Sequence, residues 1–400
     1  MTSKSILIVG GGIAGPALAL FLKRKGFFPV IYEARRRDDK SGGGLGLAPN
    51  GMSILAELGL ANKVRAAGNT YKGFEFYNSD GVLLSSYQDQ KRDINEEYGV
   101  ALPRQSLHEI LLDAMSAEGI PIHFEKRLAM VDTVNGEPVC RFAYGDSVPC
   151  HLVIGADGLV STVRHIIFPD VHPSYTGLIG IGGFVTENVI GKEYLPPDDR
   201  MRMFFGKLGF FGIARSGLES GKQQVMWWSA LPDEDSDREN VSKLTEEDKR
   251  AMLIQLHRGW CPPTERIIKS AKNIWAGNLY DIPNLEKWHV GNVCLMGDAA
   301  HAVSPHSGQG ASMALEDAWC LPRCLIRHPS EPQDAFAEFQ DARKCRVDKV
   351  IAYGRRSGNL KKELTPVEIW IRDKFLIFLL PLFARRVAKW MYRGLPDQEK

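Results

Sequence analysis

Apolar positions along the chain fall into two patterns, continuous runs and alternating ones, and these predict two kinds of strand. The run "SILIV" (Ser5–Val9) is apolar almost throughout, as a parallel strand covered on both faces requires. A helix is predicted from about Ile13 to "KRKG", where Lys23, Arg24 and Lys25 suit the negative helix end and Gly26 the cap. Pro16 is tolerated because it falls in the first turn. "PVIYE" (29–33) then reads as a second strand, giving one βαβ start. "FEFYNSDGVLLSSY" predicts a hairpin turning at "NSDG", and "LPRQSLHEILLDAM" an amphipathic helix. Short strands follow over 122–150, and "HLVIGADG" returns to the buried pattern. Residues from about 175 to 231 alternate aromatic and apolar positions, which predicts a second, mostly antiparallel sheet. "NVCLMGD" is strand-like again, "SGQGASMALEDAWCLPRCL" reads as a helix, and the remainder is helical. The fold class is therefore α/β, with the second sheet inserted before the parallel sheet is re-entered for the last time.

Composition narrows the function. A chain of 400 residues calls for two interlocked domains, and 44% apolar residues supply a large core. A net charge of +2 removes nucleic acid from the expected partners. The basic run at 35–37 is read as a solvated loop, with a phosphate or ribose contact as the alternative. Seven cysteines without CxxC or metal-ligand spacing predict no metal site and fit a reducing cytoplasm. The N-terminal apolar run is broken by glycine before a signal-type segment forms, so a cytoplasmic location is expected. The run "FLIFLLPLF" (375–383) is too short to span a bilayer. A docked terminal helix is expected there, with weak membrane-surface contact as the alternative.

Two glycine-rich turns carry the chemistry. Gly10, Gly12 and Gly15 follow a strand and open a helix, with Ile13 and Ala14 inside the turn. Gly10 allows the tight turn, Gly12 lets a pyrophosphate approach the backbone, and Gly15 lets helix and strand pack closely. The helix N-terminus offers N–H groups to phosphates, and Glu33 stands where an acid accepts ribose hydroxyls. The second turn is "GDAAHAVSPHSGQG" (297–310). Asp298 ends a buried strand, where it suits a polyol chain, and Pro305 and Gly308, Gln309, Gly310 and Ala311 form a shelf for a flat ring. A nicotinamide nucleotide has no ribityl chain and no fused ring needing that shelf. A flavin has both.

With "GADGLVSTVR" (155–164) between these turns, the chain resembles the class A flavoprotein monooxygenases, the single-component FAD-dependent aromatic hydroxylases. "GGGLGLAPNGMSILAELGL" and "LPRQSL" also resemble that family's linking segments. The resemblance implies a Rossmann-like FAD-binding domain with an inserted, mostly antiparallel substrate-binding sheet and C-terminal helices. It implies FAD as cofactor, NAD(P)H as transient electron donor, and hydroxylation of an aromatic or polycyclic molecule by O2 through a flavin C4a-hydroperoxide. Glu33 would bind the adenosine ribose, with Arg35 and Gly46 also toward the cofactor. Arg104 would lie near the flavin or its phosphates, and Asp157 and Gly158 would serve both FAD and nicotinamide. Asp298 would bind the ribityl-phosphate end. His151 stands where relatives have an acid.

The expected division assigns 1–72, 99–172 and 276–355 to the FAD domain, 73–98 and 173–275 to the substrate domain, and 356–400 to terminal helices. Within the second sheet, Arg202, Phe204, Phe211, Arg215 and Trp227 are the substrate candidates. No catalytic side chain stands out; His306 and Arg215 are the candidates, a solvated loop histidine being the alternative reading of the first. The competing functions are a flavin-dependent reductase or epoxidase of the same superfamily and a non-catalytic flavin-binding redox sensor.

Overall fold

Ser5–Val9 becomes the centre of a parallel sheet because both its faces are apolar and both are covered. In the computed structural model, which describes residues 5–39, 42–88, 97–219, 221–233, 241–359 and 363–392, this strand pairs with Phe28–Tyr32 on one side and Leu152–Gly155 on the other. Ile122–His123 extends one edge, and Val293–Leu295 with the antiparallel His289–Val290 extends the other. Numbered along the chain, the parallel strands run third, second, first, fourth, fifth. The order reverses between Ser5–Val9 and Leu152–Gly155, and beyond the carboxyl ends of such a pair lies the crevice where doubly wound sheets bind ligands. The helices Ala14–Arg24 and Gly310–Arg327 pack on each other across this domain, their buried faces apolar.

The second sheet runs Lys272–Asp281, Ser174–Thr186, Lys222–Pro232, Phe210–Glu219, Arg200–Phe205, Gly73–Asn78, Leu83–Gln88. It is antiparallel except where Arg200–Phe205 meets Gly73–Asn78 in parallel. Lys272–Asp281 crosses the boundary expected at 275, so the sheet continues to Asp281. Its outer face is covered by Glu246–Leu256 and Thr264–Ser270, which bury Phe204, Phe211, Ile213 and Trp227. Its inner face looks toward the parallel-sheet domain. Between the two lies a small sheet of Gly44–Leu47, Gly99–Pro103 and Asn69–Tyr71.

The C-terminal helices Pro366–Lys374 and Leu380–Met391, joined by a π-helical turn at Phe375–Leu379, pack across the inner face of the large sheet at one end of the crevice. Arg372 donates to the Gly206 carbonyl at 2.6 Å, and Arg346 donates to the Trp390 and Met391 carbonyls at 2.7 and 2.8 Å. These bonds pin the pair of helices at both ends. All seven cysteines are free thiols.

Candidate active site

A single cavity of about 1020 Å³ joins the carboxyl ends of the parallel strands to the inner face of the large sheet. At one end the first glycine turn is shaped by backbone. Gly10 has φ +110°, and a Cβ there would stand 2.4 Å from the Ala156 carbonyl oxygen. A Cβ on Gly15 would stand 2.0 Å from the Gly10 carbonyl oxygen, so this glycine seats the helix on the turn. A Cβ on Gly12 would meet only Arg104, at 3.7 Å, leaving that backbone open toward the cavity. The Glu33 carboxylate is fixed by the Gly11 N–H at 2.5 Å and the Arg35 N–H at 2.8 Å.

The second turn faces the first. Asp298 opens into the cavity but is enclosed by protein, and that enclosure raises its carboxyl above the usual carboxylate range, against His301 and Arg104. Gly308 takes the left-handed conformation, φ +62°, and ends the short turn Pro305–Ser307 just before the helix Gly310–Arg327. Two helix N-termini and Arg104 thus converge on one space, each favouring negative charge. Burial lowers the Arg104 guanidinium from its ordinary value, Arg35 adding to this and Asp298 and Glu33 opposing.

Behind the second turn lies a buried ionic network. Asp317 accepts from the Gly297 N–H at 2.9 Å and from Arg343 at 2.7 Å, and its carboxylate lies 2.6 Å from His301 Nε2. Burial alone would raise this carboxyl, but His301 and Arg343 outweigh it and bring it down to about 2. Glu316 bonds Asn50, Arg343 and Arg346. The network ties the Gly297 turn to its following helix, which is why two acids stand in "ALEDA".

The glycine strand Gly44–Leu47 forms one wall of the junction. A Cβ on Gly44 would stand 2.6 Å from Met226 Sδ, and one on Gly43 would strike the Trp275 indole. The Gln309 side chain is fully buried at the cavity edge, and its Nε2 has no partner among the described residues. Phosphate-directed helix ends, a ribose-directed carboxylate and an orphaned amide beside a glycine-lined slot suit FAD.

The FAD binding domain family matches residues 3–351. The chain belongs to that family. Over 385 residues it is 28% identical to the aurachin C monooxygenase/isomerase of Stigmatella aurantiaca, covering 94% of each protein. Over 395 residues it is 26% identical to the 2-heptyl-3-hydroxy-4(1H)-quinolone synthase of Pseudomonas aeruginosa, covering 98% of this chain and 99% of that one. Klebsiella pneumoniae HpxO in complex with FAD and uric acid shares the fold, with TM-score 0.83 at 20% identity over 98% and 97% of the two chains. The protein is an FAD-dependent monooxygenase of the class A flavoprotein type.

The cavity of this monooxygenase gathers most residues expected from the sequence. Gly10, Gly12, Ile13, Ala14, Glu33, Arg35, Gly46, Arg104, Asp157, Gly158, Asp298, Pro305, Gly308, Gln309, Gly310 and Ala311 all line it. Gly15 does not, and serves packing instead. Asp157 accepts from Ser161 Oγ at 2.5 Å and from the Val163 N–H at 3.0 Å, so its carboxylate orders the turn into Thr162–Ile167. His151 accepts from the Ser5 N–H at 3.0 Å, bonding neighbouring strands far from the cavity. The His306 side chain lies outside the described residues.

The substrate candidates need correction. Arg202 pairs with Glu75 at 3.0 Å, and Arg215 with Glu187 at 2.5 Å, both on the outer face of the sheet. Arg215 is therefore neither substrate-facing nor a catalytic group. Phe204 and Phe211 are buried in the outer core, and Trp227 stacks on Phe211 there with centroids 5.7 Å apart, touching only the cavity edge. Alternation along a strand puts their neighbours on the other face. Met201, Met203, Phe205, Phe210, Met226 and Trp228 line the cavity instead, with Tyr71, Phe74 and Phe76. Leu376, Leu380, Ala384 and Val387 of the C-terminal helices close it. The alternation was visible in the sequence; which parity faced inward was not.

Proposed function

We propose that this monooxygenase uses NAD(P)H and O2 to hydroxylate a neutral, largely apolar aromatic molecule held between the glycine strand and the large sheet. The division of charge around the cavity carries this reading. Its charged lining residues, such as Glu33, Arg35, Arg104, Asp157 and Asp298, belong to the parallel-sheet side. The large sheet and the C-terminal helices contribute aromatic, methionine and aliphatic side chains, with no charged lining residue among those described. An anionic substrate would be left there without a cation to offset its lost hydration. The quinolone synthase is named for a ring bearing a heptyl chain, which is the kind of molecule such a wall suits.

When bound, FAD would supply the redox chemistry between the nicotinamide and O2. The protein's part is position and electrostatics. Glu33 would accept from the ribose, while the N-terminus of Ala14–Arg24 and Arg104 would hold the pyrophosphate. Asp298 would accept from the ribityl chain. The N-terminus of Gly310–Arg327 favours negative charge at the ring edge, and the apolar wall keeps water away from it. In this reading 1–72, 99–172 and 282–355 serve the cofactor, and 73–98 and 173–281, which takes in the strand Lys272–Asp281, the substrate.

The visible spectrum of the purified enzyme tests the proposal. NADPH or NADH without oxygen should bleach the flavin, air should restore it, and neutral aromatic ligands should speed the bleaching. A flavin that neither nucleotide bleaches would overturn the electron-donor assignment. Faster bleaching by carboxylate ligands alone would overturn the substrate class.

A further inference from the structure

We propose that the outer face of the C-terminal helices docks on an anionic lipid bilayer, placing the apolar end of the cavity beside a reservoir of lipid-dissolved substrate. The helices are apolar on two sides. Leu376, Leu380, Ala384, Val387 and Ala388 line the cavity. Val367, Trp370, Ile371, Ile377, Phe378 and Phe383 face solvent, with Val367, Trp370 and Phe378 exposed by 67, 61 and 62%. Exposed large apolar residues on other elements, such as Phe28, Met130 and Tyr144, are scattered, which needs no explanation. A contiguous apolar face does.

Charge selects the occupant. Lys374 lies 5.9 Å over the Trp370 ring and 5.7 Å over the Phe378 ring, a cation carried within the apolar stripe. Arg385, Arg386 and Lys389 are exposed one helix further on. The acids of these helices are committed: Glu368 closes the capping box with Thr365, and Asp373 pairs with the buried Arg372. Apolar and aromatic side chains flanked by cations are the composition of a helix lying in an anionic membrane interface. A second copy meeting this face about a two-fold axis would bring the same four cations together, which opposes that contact. No helix among the described residues is long and apolar enough to cross a membrane, so the contact is with the surface. Because Arg372 and Arg346 moor the two ends to the body, the face can bear a load without leaving the cavity.

The substrate route rests on the monooxygenase proposal, but the docking is read without activity. Flavin-loaded enzyme is floated with vesicles of phosphatidylcholine alone or mixed with phosphatidylglycerol, at low and high salt. Strong binding is expected only with phosphatidylglycerol, weakening with salt. Each cation near such a surface contributes about fivefold, so replacing Lys374, Arg385, Arg386 and Lys389 by Gln should weaken binding roughly a hundredfold or more. Trp370→Glu with Phe378→Glu should also abolish it, with flavin content and circular dichroism unchanged. Failure of the unmodified enzyme to bind either vesicle overturns the proposal. So does binding that ignores lipid charge, or a concentration-dependent dimer that the Trp370→Glu, Phe378→Glu variant loses. Bleaching by NAD(P)H is measured separately, so failure of docking and failure of the proposed function remain distinct.

Discussion

Gly12 and Gly15 sit three residues apart in the same turn, yet substituting each by alanine should harm different things. At Gly15 the new Cβ falls 2.0 Å from the Gly10 carbonyl oxygen, about 1 Å short of any tolerable contact with rigid backbone. Overpacking of this kind costs about 1–3 kcal/mol or more, against roughly 1 kcal/mol returned by alanine's better helix propensity. At Gly12 the nearest atom is Arg104 Nη2 at 3.7 Å, an ordinary contact, and φ is not in the left-handed region. Alanine there should leave the flavin-free protein unchanged or more stable by up to about 1 kcal/mol, through the unfolded chain. If that backbone meets the pyrophosphate, the methyl displaces at least one charge-assisted hydrogen bond of about 1.5–3 kcal/mol, weakening FAD roughly 10- to 150-fold. Thermal unfolding of the flavin-free protein and titration with FAD, followed by quenching of flavin fluorescence, separate the two effects. Gly12→Ala should melt with the parent and bind FAD poorly, while Gly15→Ala, at a net loss of up to about 2 kcal/mol, should melt about 1–2 °C lower, the shift being small because unfolding entropy grows with chain length. FAD binding of parental strength in Gly12→Ala, or parental melting in Gly15→Ala, would refute the reasoning.

Further outcomes follow from the same geometry. Asp317→Asn leaves His301 facing a neutral amide in a dry site, while Arg343 keeps Glu316, so urea unfolding at pH 7 should show a loss of about 1–3 kcal/mol. Because the folded carboxyl lies at about 2, below its ordinary 3.8, this advantage holds above about pH 4 and fades as pH falls toward 2. A loss under about 1 kcal/mol at pH 7 would mean that the network is not coupled as described. His257, buried against Trp260, is pushed down to about 3 by burial, so its neutral form favours the fold above pH 6.5. As pH falls from 6.5 toward 3, it should contribute a stability loss of up to about 1.4 kcal/mol per pH unit. His257→Gln should flatten that slope whatever its effect at neutral pH. Met203→Lys, which puts a charge into the apolar wall, should abolish ligand-stimulated NAD(P)H oxidation while FAD content persists. Arg202→Gln, on the outer face, should change KM for the substrate less than about twofold, and a tenfold rise would return that residue to the site.

What the sequence disclosed and what it hid divide along one physical line. Ser5–Val9, its glycine turn and Glu33 obey local rules: a doubly covered strand is apolar on both faces, and a tight turn needs glycine at fixed offsets. Those features needed no knowledge of what lay opposite. The large sheet is also covered on both faces, by helices outside and by the cavity inside, so neither face is marked by solvent-facing polar residues. In "RMRMFF" Arg202 and Phe204 read as substrate candidates, yet Arg200 and Arg202 share the outer parity with Phe204 and find Glu75 there. The inner parity of that segment is Met201, Met203 and Phe205, which looks like ordinary core and lines the cavity. The two acids of "ALEDA" stand on a helix beside the cofactor loop and do not line the cavity. Glu316 and Asp317 instead support the loop from beneath, answered by Arg343 and Arg346 about thirty residues later. Around the cavity charge stands on the parallel-sheet side, where phosphates are expected, and its absence from the inner face of the large sheet says most about the substrate.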